Sequence, residues 1–246
     1  MCGCDSSSKM AVIIDPVLDY GLATRVISTH TAESLSIFRE KGYEIDRILE
    51  THVHADHLTA APSICTGRRI REAQSRLGQI YDIPPQDYDD IFDNLFDDNK
   101  TFVIGALAVT IMNLPDQTPH YVRYKKGSDS VFCGDSLADS VFDSGSKLLA
   151  LLDDTKFWTG HDYPPVKDHR KYNKHLYKDV NKVGFVLMRQ ERGAKLAEPK
   201  LLVPSLQINL RAGRFPKQTE SGHSFLHLSL KFNMETWQDS QRLLEA

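Results

Sequence analysis

Residues 51–57 read Thr-His-Val-His-Ala-Asp-His, and they form the most polar short stretch of the 246-residue chain. Four side chains that can bind a metal ion lie within it: His52, His54, Asp56 and His57. A lone histidine is more often structural, but three imidazoles and a carboxylate so close together are typical of a metal site. The alternation at 52 and 54 points two rings to one side of the loop. We expect Asp56 and His57 to open the next helix and to return to the same centre.

The surrounding chain alternates between short apolar runs and helical patterns. The runs at 10–15 and 45–49 predict buried strands, and a helix at 31–41 connects them. Later segments are predicted, in chain order, as a mostly helical region at 68–98 with an acidic helix from Gln86 to about Phe96, a hairpin at 101–112, a strand pair at 121–125 and 130–133, a helix around 148–152 and a strand at 156–158. Asp135 and His161 follow the ends of two of these strands, and we expect them to complete the metal site.

Charge and composition exclude several classes of protein. Thirty Lys and Arg stand against 33 Asp and Glu, so the net charge of −3 offers no overall attraction for nucleic acid or an anionic membrane. The longest apolar runs are far shorter than the roughly 18 residues of a transmembrane helix. Four cysteines and no apolar leader argue against a secreted disulfide framework and favour a reducing compartment. We expect a soluble protein of the cytosol, with the mitochondrion as the alternative location.

We interpret the chain as one domain over residues 10–246, preceded by a disordered polar tail at 1–9. Cys2 and Cys4 make metal chelation the alternative to a frayed tail. A basic helical and C-terminal extension begins at about residue 166, with eight Lys and Arg between 167 and 192. These charges are either a solvated helix face or an attraction for an anionic substrate such as a glutathione carboxylate.

The stretch at 51–57 resembles the signature of the metallo-β-lactamase superfamily, whose fold is an αββα sandwich. From Ala11 to Phe232 the chain is similar to the persulfide dioxygenase branch, which is related to glyoxalase II. The matching segments lie at 11–16, 50–60, 132–136, 158–165 and 204–214. The resemblance implies an α/β (α+β) fold class. Two family segments are shorter here, so we expect a sandwich trimmed at the N-terminal sheet edge and in the loop after Asp135.

The resemblance also implies a mononuclear Fe²⁺ that, with O₂, oxidises glutathione persulfide to sulfite. Two of its ligands carry over onto His52 and Asp135. The third family ligand is the histidine of a Leu-Pro-Gly-His-Thr-Pro motif, whereas this chain reads Leu-Pro-Asp-Gln-Thr-Pro at 114–119 and has Gln117 in that place. An amide oxygen is a weaker donor than an imidazole, and His120 is the alternative ligand if the loop shifts.

The second metal site of dinuclear relatives matches His54, Asp56, His57 and His161. In iron dioxygenases these side chains would form a hydrogen-bonded shell around the substrate pocket. Tyr163 matches a residue that faces the substrate, although a hydroxyl bonded to the backbone is an equal account of it. Two other functions stay open, a glyoxalase II-type thioester hydrolase with Zn²⁺ and a catalytically inactive binding homologue. A homodimer is also left open.

Overall fold

The computed structural model describes residues 1–29, 36–60, 65–115, 120–134, 142–159, 166–172, 181–195 and 197–228. Within these residues the strands are, in chain order, β1 Cys2–Asp5, β2 Met10–Ile14, β3 Val17–Tyr20, β4 Ile27–Ser28, β5 Glu44–Leu49, β6 Leu58–Thr59, β7 Cys65–Gly67, β8 Asn94–Phe96, β9 Thr101–Ile104, β10 Leu107–Asn113, β11 Val122–Lys126, β12 Ser130–Gly134 and β13 Lys156–Thr159. The helices are α1 Ser36–Glu40, α2 Ile70–Ile80, α3 Phe142–Leu149, α4 Val166–Tyr172, α5 Lys182–Gly193 and α6 Leu202–Asn209. A 3₁₀ turn lies at Pro85–Asp87.

Two five-stranded sheets form the centre of the fold. The first has the order β1-β2-β5-β7-β8, with β1 antiparallel to β2 and parallel pairing from β2 to β8. The second has the order β13-β12-β11-β10-β9, an antiparallel meander that ends in one parallel pair, β12 with β13. A third, small antiparallel sheet has the order β4-β3-β6. Parallel strands of the first sheet require crossover segments, which contain α1 and α2.

The two sheets bury their apolar faces against each other. Their shared core combines Val12, Ile14 and Leu49 of the first sheet with Ile111 and Tyr124 of the second. β-branched and aromatic residues favour this position because they fill a pleated, buried surface.

The outer face of each sheet is covered by helices. Residues of α3, α4 and α5, namely Leu148, Val166 and Phe185, pack with Val131 and Phe157 of the second sheet. Residues of α2 and α6 pack with Ile48 and Val53 on the other side. The layers are therefore helix, sheet, sheet and helix, which confirms the predicted αββα architecture. None of the helices in the described ranges has the length and apolar character needed to cross a bilayer.

The prediction of a disordered tail at 1–9 is wrong, because Cys2–Asp5 forms the edge strand β1. Gly3 lies close to Val12 and the Phe132 ring. The Asp5 carboxylate anchors the end of the strand, since it accepts hydrogen bonds from the hydroxyls of Ser7 and Ser8 and from the backbone N–H of Ala106, in the turn between β9 and β10. The N-terminal edge that we expected to be trimmed is thus occupied by β1. The loop after Asp135 lies outside the described residues.

Two predicted helices are also wrong. The acidic segment from Gln86 to Phe96 begins with the 3₁₀ turn and ends as β8, which pairs in parallel with β7. Burial of Tyr88 and Ile91 overrides the local charge pattern, because these side chains belong to the apolar cluster under α6. After His57 the chain forms the short strand β6 instead of opening a helix.

Gly134, at the end of β12, has a left-handed backbone with φ of +70° and no room for a side chain. A Cβ atom there would lie 2.4 Å from Thr51 Oγ1 and 2.6 Å from the Tyr121 hydroxyl. Gly42 has a similar φ of +73° but open space around it. Gly42→Ala should therefore cost only the backbone strain, about 1 kcal/mol, whereas Gly134→Ala adds overpacking of about 1–3 kcal/mol. Chemical denaturation of both variants checks this, and equal losses in the free energy of unfolding would contradict the close packing of β12 on Thr51.

Candidate metal centre

The histidine-rich loop begins where two parallel strands of the first sheet end side by side. β2 ends at Ile14 and β5 ends at Leu49, and these residues are partners in the ladder. The next residue along β2 is Asp15, whose N–H donates to the Leu49 carbonyl at 2.9 Å. Because the carboxyl ends of parallel strands meet at one edge of a sheet, Asp15 reaches the loop from a different part of the sequence.

Asp15 fixes the first turn of this loop. Its Oδ1 accepts the Thr51 N–H at 2.8 Å and its Oδ2 accepts the Thr51 hydroxyl at 3.0 Å. The residue itself has a left-handed backbone with φ of +51°, a conformation that aspartate tolerates better than most side chains. The Thr51 Oγ1 also lies 3.0 Å from His52 Nδ1. One carboxylate therefore orients both the backbone and the first histidine of the stretch.

Two buried carboxyl groups converge on one nitrogen of His54. The Nε2 atom lies 3.2 Å from Asp15 Oδ1 and 3.3 Å from Glu50 Oε2. The second oxygen of Glu50 accepts a hydrogen bond from the Thr59 hydroxyl. All three groups are almost inaccessible to solvent, so their mutual interaction is weakly screened. The ring of His54 is thus oriented with Nε2 towards the carboxyl groups and Nδ1 away from them.

Burial and mutual charge set the protonation of this cluster. Burial alone would raise the pKa of Asp15, but the charge and hydrogen bond of His54 hold that pKa well below its usual range. Burial would lower the pKa of His54, yet Asp15 and Glu50 raise it well above its usual value. Burial raises the pKa of Glu50, and the nearby charge of Asp15 raises it further.

The other side of His54 faces the rest of the histidine-rich loop. The ring centroid of His54 lies 3.9 Å from that of His52 and 4.1 Å from that of His57. His54 Nδ1 is 3.8 Å from Asp56 Oδ1, and His57 Nδ1 is 3.2 Å from the same oxygen. A hydrogen bond from His57 lowers the pKa of Asp56, which is therefore ionised.

The donor set fits a transition metal. One ligand atom each from His54, Asp56 and His57 lies within 4.8 Å of the others. The Nε2 atom of His57 is buried without a hydrogen-bond partner among the described residues, as expected for a nitrogen kept for a ligand. Asp15, Glu50 and His54 form a second such group, but Asp15 already binds Thr51 through both oxygens. We therefore assign these carboxyl groups to orienting the histidine, the arrangement that tunes many metal ligands.

Tyr121 holds the ring of His52 from the second sheet. The two rings are stacked, with centroids 4.2 Å apart and planes at 16°. The Tyr121 hydroxyl donates to the Cys133 carbonyl at 3.1 Å, next to Gly134. The segment that leads towards Asp135 is thereby tied to the first histidine of the loop.

His120 lies beside the loop but is already engaged with its backbone. The Val53 N–H donates to His120 Nε2 at 3.2 Å, so the neutral ring carries its proton on Nδ1. Burial, with added repulsion from His52 and His54, lowers the pKa of His120 to about 3. To serve as the alternative ligand through Nε2, the ring would have to release the Val53 N–H. Its observed role is to hold the backbone between the first two histidines.

Four sequence-predicted site residues come together in the structure, namely His52, His54, Asp56 and His57. Their role as ligands remains a prediction. The other four lie outside the described residues, namely Gln117, Asp135, His161 and Tyr163. Sequence reasoning did not select the orienting residues, which are Asp15, Glu50, Thr51, Tyr121 and Asn209. For Asp15, the sequence did contain one indication of a role at the site, namely its position at the end of a predicted buried strand, before Pro16.

The basic segment after residue 166 is engaged in surface ion pairs. Lys167 Nζ lies 3.0 Å from Asp154, and Lys182 Nζ lies 2.7 Å from Asp143. Arg170 pairs with Asp153 and donates to the carbonyl of Leu149. These contacts favour the solvated helix face over a site for an anionic substrate.

Known proteins resemble the chain over most of its length. The profile of the metallo-beta-lactamase superfamily matches residues 7–174. Glyoxylase B2 of Dictyostelium discoideum is 34% identical over 267 aligned positions, which cover 93% of this chain and 91% of that protein. A hydroxyacylglutathione hydrolase of Fuscovulum blasticum is 29% identical over 58% of this chain and 58% of its own length. The crystal structure of ETHE1 from Myxococcus xanthus superposes with a TM-score of 0.67 at 20% identity, covering 87% of this chain and 93% of that one, which shows the shared fold.

Removing the charge of Asp15 should weaken metal binding. In Asp15→Asn the side chain keeps its size, but His54 loses the anion that orients its ring, and changes of this kind typically cost about 10–100-fold in metal affinity. Competition between the protein and a chelator for Zn²⁺ measures the effect. Asp46→Asn is the matched control, because Asp46 pairs with Arg47 away from the loop. Equal Zn²⁺ affinity for Asp15→Asn and the wild type would refute the orienting role.

The burial of neutral His120 predicts a pH-dependent stability. An unfolded histidine titrates near pH 6.5, whereas the folded pKa is about 3, so the unfolded state binds more protons below pH 6.5 and stability falls as the pH drops. Between pH 6.5 and 5 this contribution amounts to about 1.6 kcal/mol. His120→Gln keeps an acceptor for Val53 and removes the titration. Urea denaturation at both pH values should show a smaller loss for the variant, and identical losses would contradict the assignment.

Proposed function

The chain belongs to the metallo-β-lactamase superfamily, and on that premise we propose that it is a metal-dependent enzyme acting at the sulfur of a glutathione-linked substrate. The observation that carries the proposal is the convergence of His54, Asp56 and His57 in front of a buried carboxyl pair. Buried carboxyl groups that converge on one imidazole, as Asp15 and Glu50 do on His54, are typical of functional sites. The leading reaction is the oxidation of the outer sulfur of glutathione persulfide by O₂, with water, to sulfite, which breaks the S–S bond and releases glutathione as the thiol.

The substrate class rests on the resemblance and on the relatives. The segments at 158–165 and 204–214 resemble the persulfide dioxygenase branch most specifically. Relatives include a glyoxylase and a hydroxyacylglutathione hydrolase, and the latter name refers to a glutathione derivative. We therefore propose a thiol derivative of glutathione as the substrate.

The residues that would hold the metal are His52 and Asp135, with Gln117 in the third protein position. An iron ion held by these residues would supply the redox chemistry between O₂ and a substrate sulfur. The chain's own residues orient this centre. Thr51 contacts His52 Nδ1, and Tyr121 stacks on the same ring, so the first histidine has a fixed direction before any ligand arrives. Asp15, Glu50 and His54 are buried, so bulk water is excluded from the side of the loop that faces the two carboxyl groups.

A two-zinc thioester hydrolase is the second candidate, and a specific observation favours it. His54, Asp56 and His57 are the residues that match the second metal site of dinuclear relatives, and their ligand atoms lie within one ion's reach of each other. In such an enzyme the Asp56 carboxylate and the Nε2 atom of His57 would hold the second ion. The zinc ions would polarise a thioester carbonyl and activate water.

Two assays on one preparation separate these functions. Iron-loaded protein is mixed with glutathione persulfide while O₂ uptake and sulfite are followed, and zinc-loaded protein is given an acyl glutathione thioester. Uptake of O₂ with sulfite formation supports the dioxygenase, and thioester cleavage supports the hydrolase. Absence of both activities in metal-loaded protein contradicts the enzyme proposal and leaves the binding homologue.

Restoring the family ligand should raise the iron content of the protein. Gln117→His exchanges a weak neutral oxygen donor for an imidazole, so iron content at a fixed low iron concentration should rise at least about tenfold. Elemental analysis after anaerobic purification measures this. Gln79→His, which adds a histidine to the exposed face of α2, controls for non-specific binding. The same iron content in Gln117→His and the control would argue against residue 117 as a ligand position.

A further inference from the structure

Asn209, the last residue of α6, lies buried against the histidine-rich loop although the two are far apart in sequence. Its Nδ2 donates to the His54 carbonyl at 2.9 Å and to the His57 carbonyl at 2.8 Å. Its Oδ1 accepts the Thr59 N–H at 2.8 Å. One side chain therefore holds both ends of the segment that contains three of the candidate ligands.

The chemistry of these three bonds selects an amide. A primary amide offers two donors and an acceptor, and the loop presents two carbonyls and one N–H. An aspartate of the same size could accept from Thr59, but its oxygens would face the carbonyl oxygens of His54 and His57. Serine or alanine would leave these buried carbonyls without their partner. The match between side chain and loop is therefore specific to asparagine at this distance.

The contacts of Asn209 continue into the carboxyl pair. Thr59, whose N–H binds Asn209, also donates through its hydroxyl to Glu50, and the other oxygen of Glu50 lies 3.3 Å from His54 Nε2. The network returns to His54, which is held at its backbone carbonyl by Asn209 and at its ring by Glu50. A displacement of α6 would therefore move both the backbone and the side chain of this histidine.

We propose that Asn209 is a positioning residue of the metal centre, and that α6 completes the site rather than merely extending the domain. This inference rests on the proposed function, because it assumes that the loop binds a metal. Asn209 touches no reacting atom. It acts by keeping His54, Asp56 and His57 in one arrangement before the ion arrives, so that binding does not have to order the loop.

The test compares Asn209→Ala and Asn209→Asp with Gln207→Ala in the full-length chain. Gln207 is a matched control, because it is a buried amide on the same helix whose hydrogen bonds go to Val203 and His227. Co²⁺ affinity is measured by competition with a chelator, and the visible bands of bound Co²⁺ report the number and symmetry of its ligands. Thermal unfolding of the metal-free proteins measures the purely structural effect of each change.

We expect at least a tenfold loss of Co²⁺ affinity and altered visible bands in both Asn209 variants, and wild-type affinity and bands in Gln207→Ala even where its melting temperature falls. Asn209→Asp decides the question if Asn209→Ala does not fold, since it keeps the size and the acceptor for Thr59. Wild-type Co²⁺ binding in a folded Asn209 variant overturns the positioning role and leaves the proposed function standing. Absence of Co²⁺ binding by the wild type contradicts the proposed function itself, which distinguishes the two failures.

Discussion

Two carboxyl groups share the Nε2 side of a single buried imidazole, and the rest of the site depends on this contact between Asp15, Glu50 and His54. A buried charge is costly unless it is paired and hydrogen-bonded. Asp15 meets that condition because it accepts both Thr51 donors as well as facing His54. The consequence is directional: once Nε2 is engaged, the Nδ1 of His54 is the nitrogen turned towards Asp56 and His57.

The fold supplies this contact by placing parallel strand ends next to each other. β2 and β5 each end at the same edge of the first sheet, so Asp15 and Glu50 arrive together although 35 positions separate them in the chain. The second sheet contributes Tyr121 and the tight backbone of Gly134, which close the loop from the opposite side. The helix α6, the last in the described part of the chain, contributes Asn209. The candidate centre is therefore built by three separate parts of the sequence around one rigid loop.

Much of this architecture could be predicted from local patterns, and the failures have a common physical cause. The spacing in His52-Val-His54 was sufficient to predict two neighbouring rings, because alternation along an extended backbone is a local property. The edge strand β1 and the strand β8 were missed because each exists through pairing with a distant strand. The acidic residues near Tyr88 suggested a solvated helix, but the buried aromatic side chain decides the conformation there. Asp15 and Asn209 could not be identified from the sequence, because hydrogen bonds between distant residues leave no periodic pattern in it.

The central claim is that Asp15 and Glu50 engage Nε2 of His54, so that a metal ion at the loop lies on the opposite side of this ring, where His52, Asp56 and His57 are. Anomalous diffraction from crystals grown with Zn²⁺ tests this most directly, because the anomalous signal comes from the zinc ion itself and shows its position. The account predicts a peak about 2.1 Å from a ring nitrogen of His52, from His54 Nδ1 or from His57 Nε2, a normal zinc–nitrogen distance. A peak between Asp15, Glu50 and His54 Nε2, or no peak at the loop in crystals soaked with excess zinc, would contradict it.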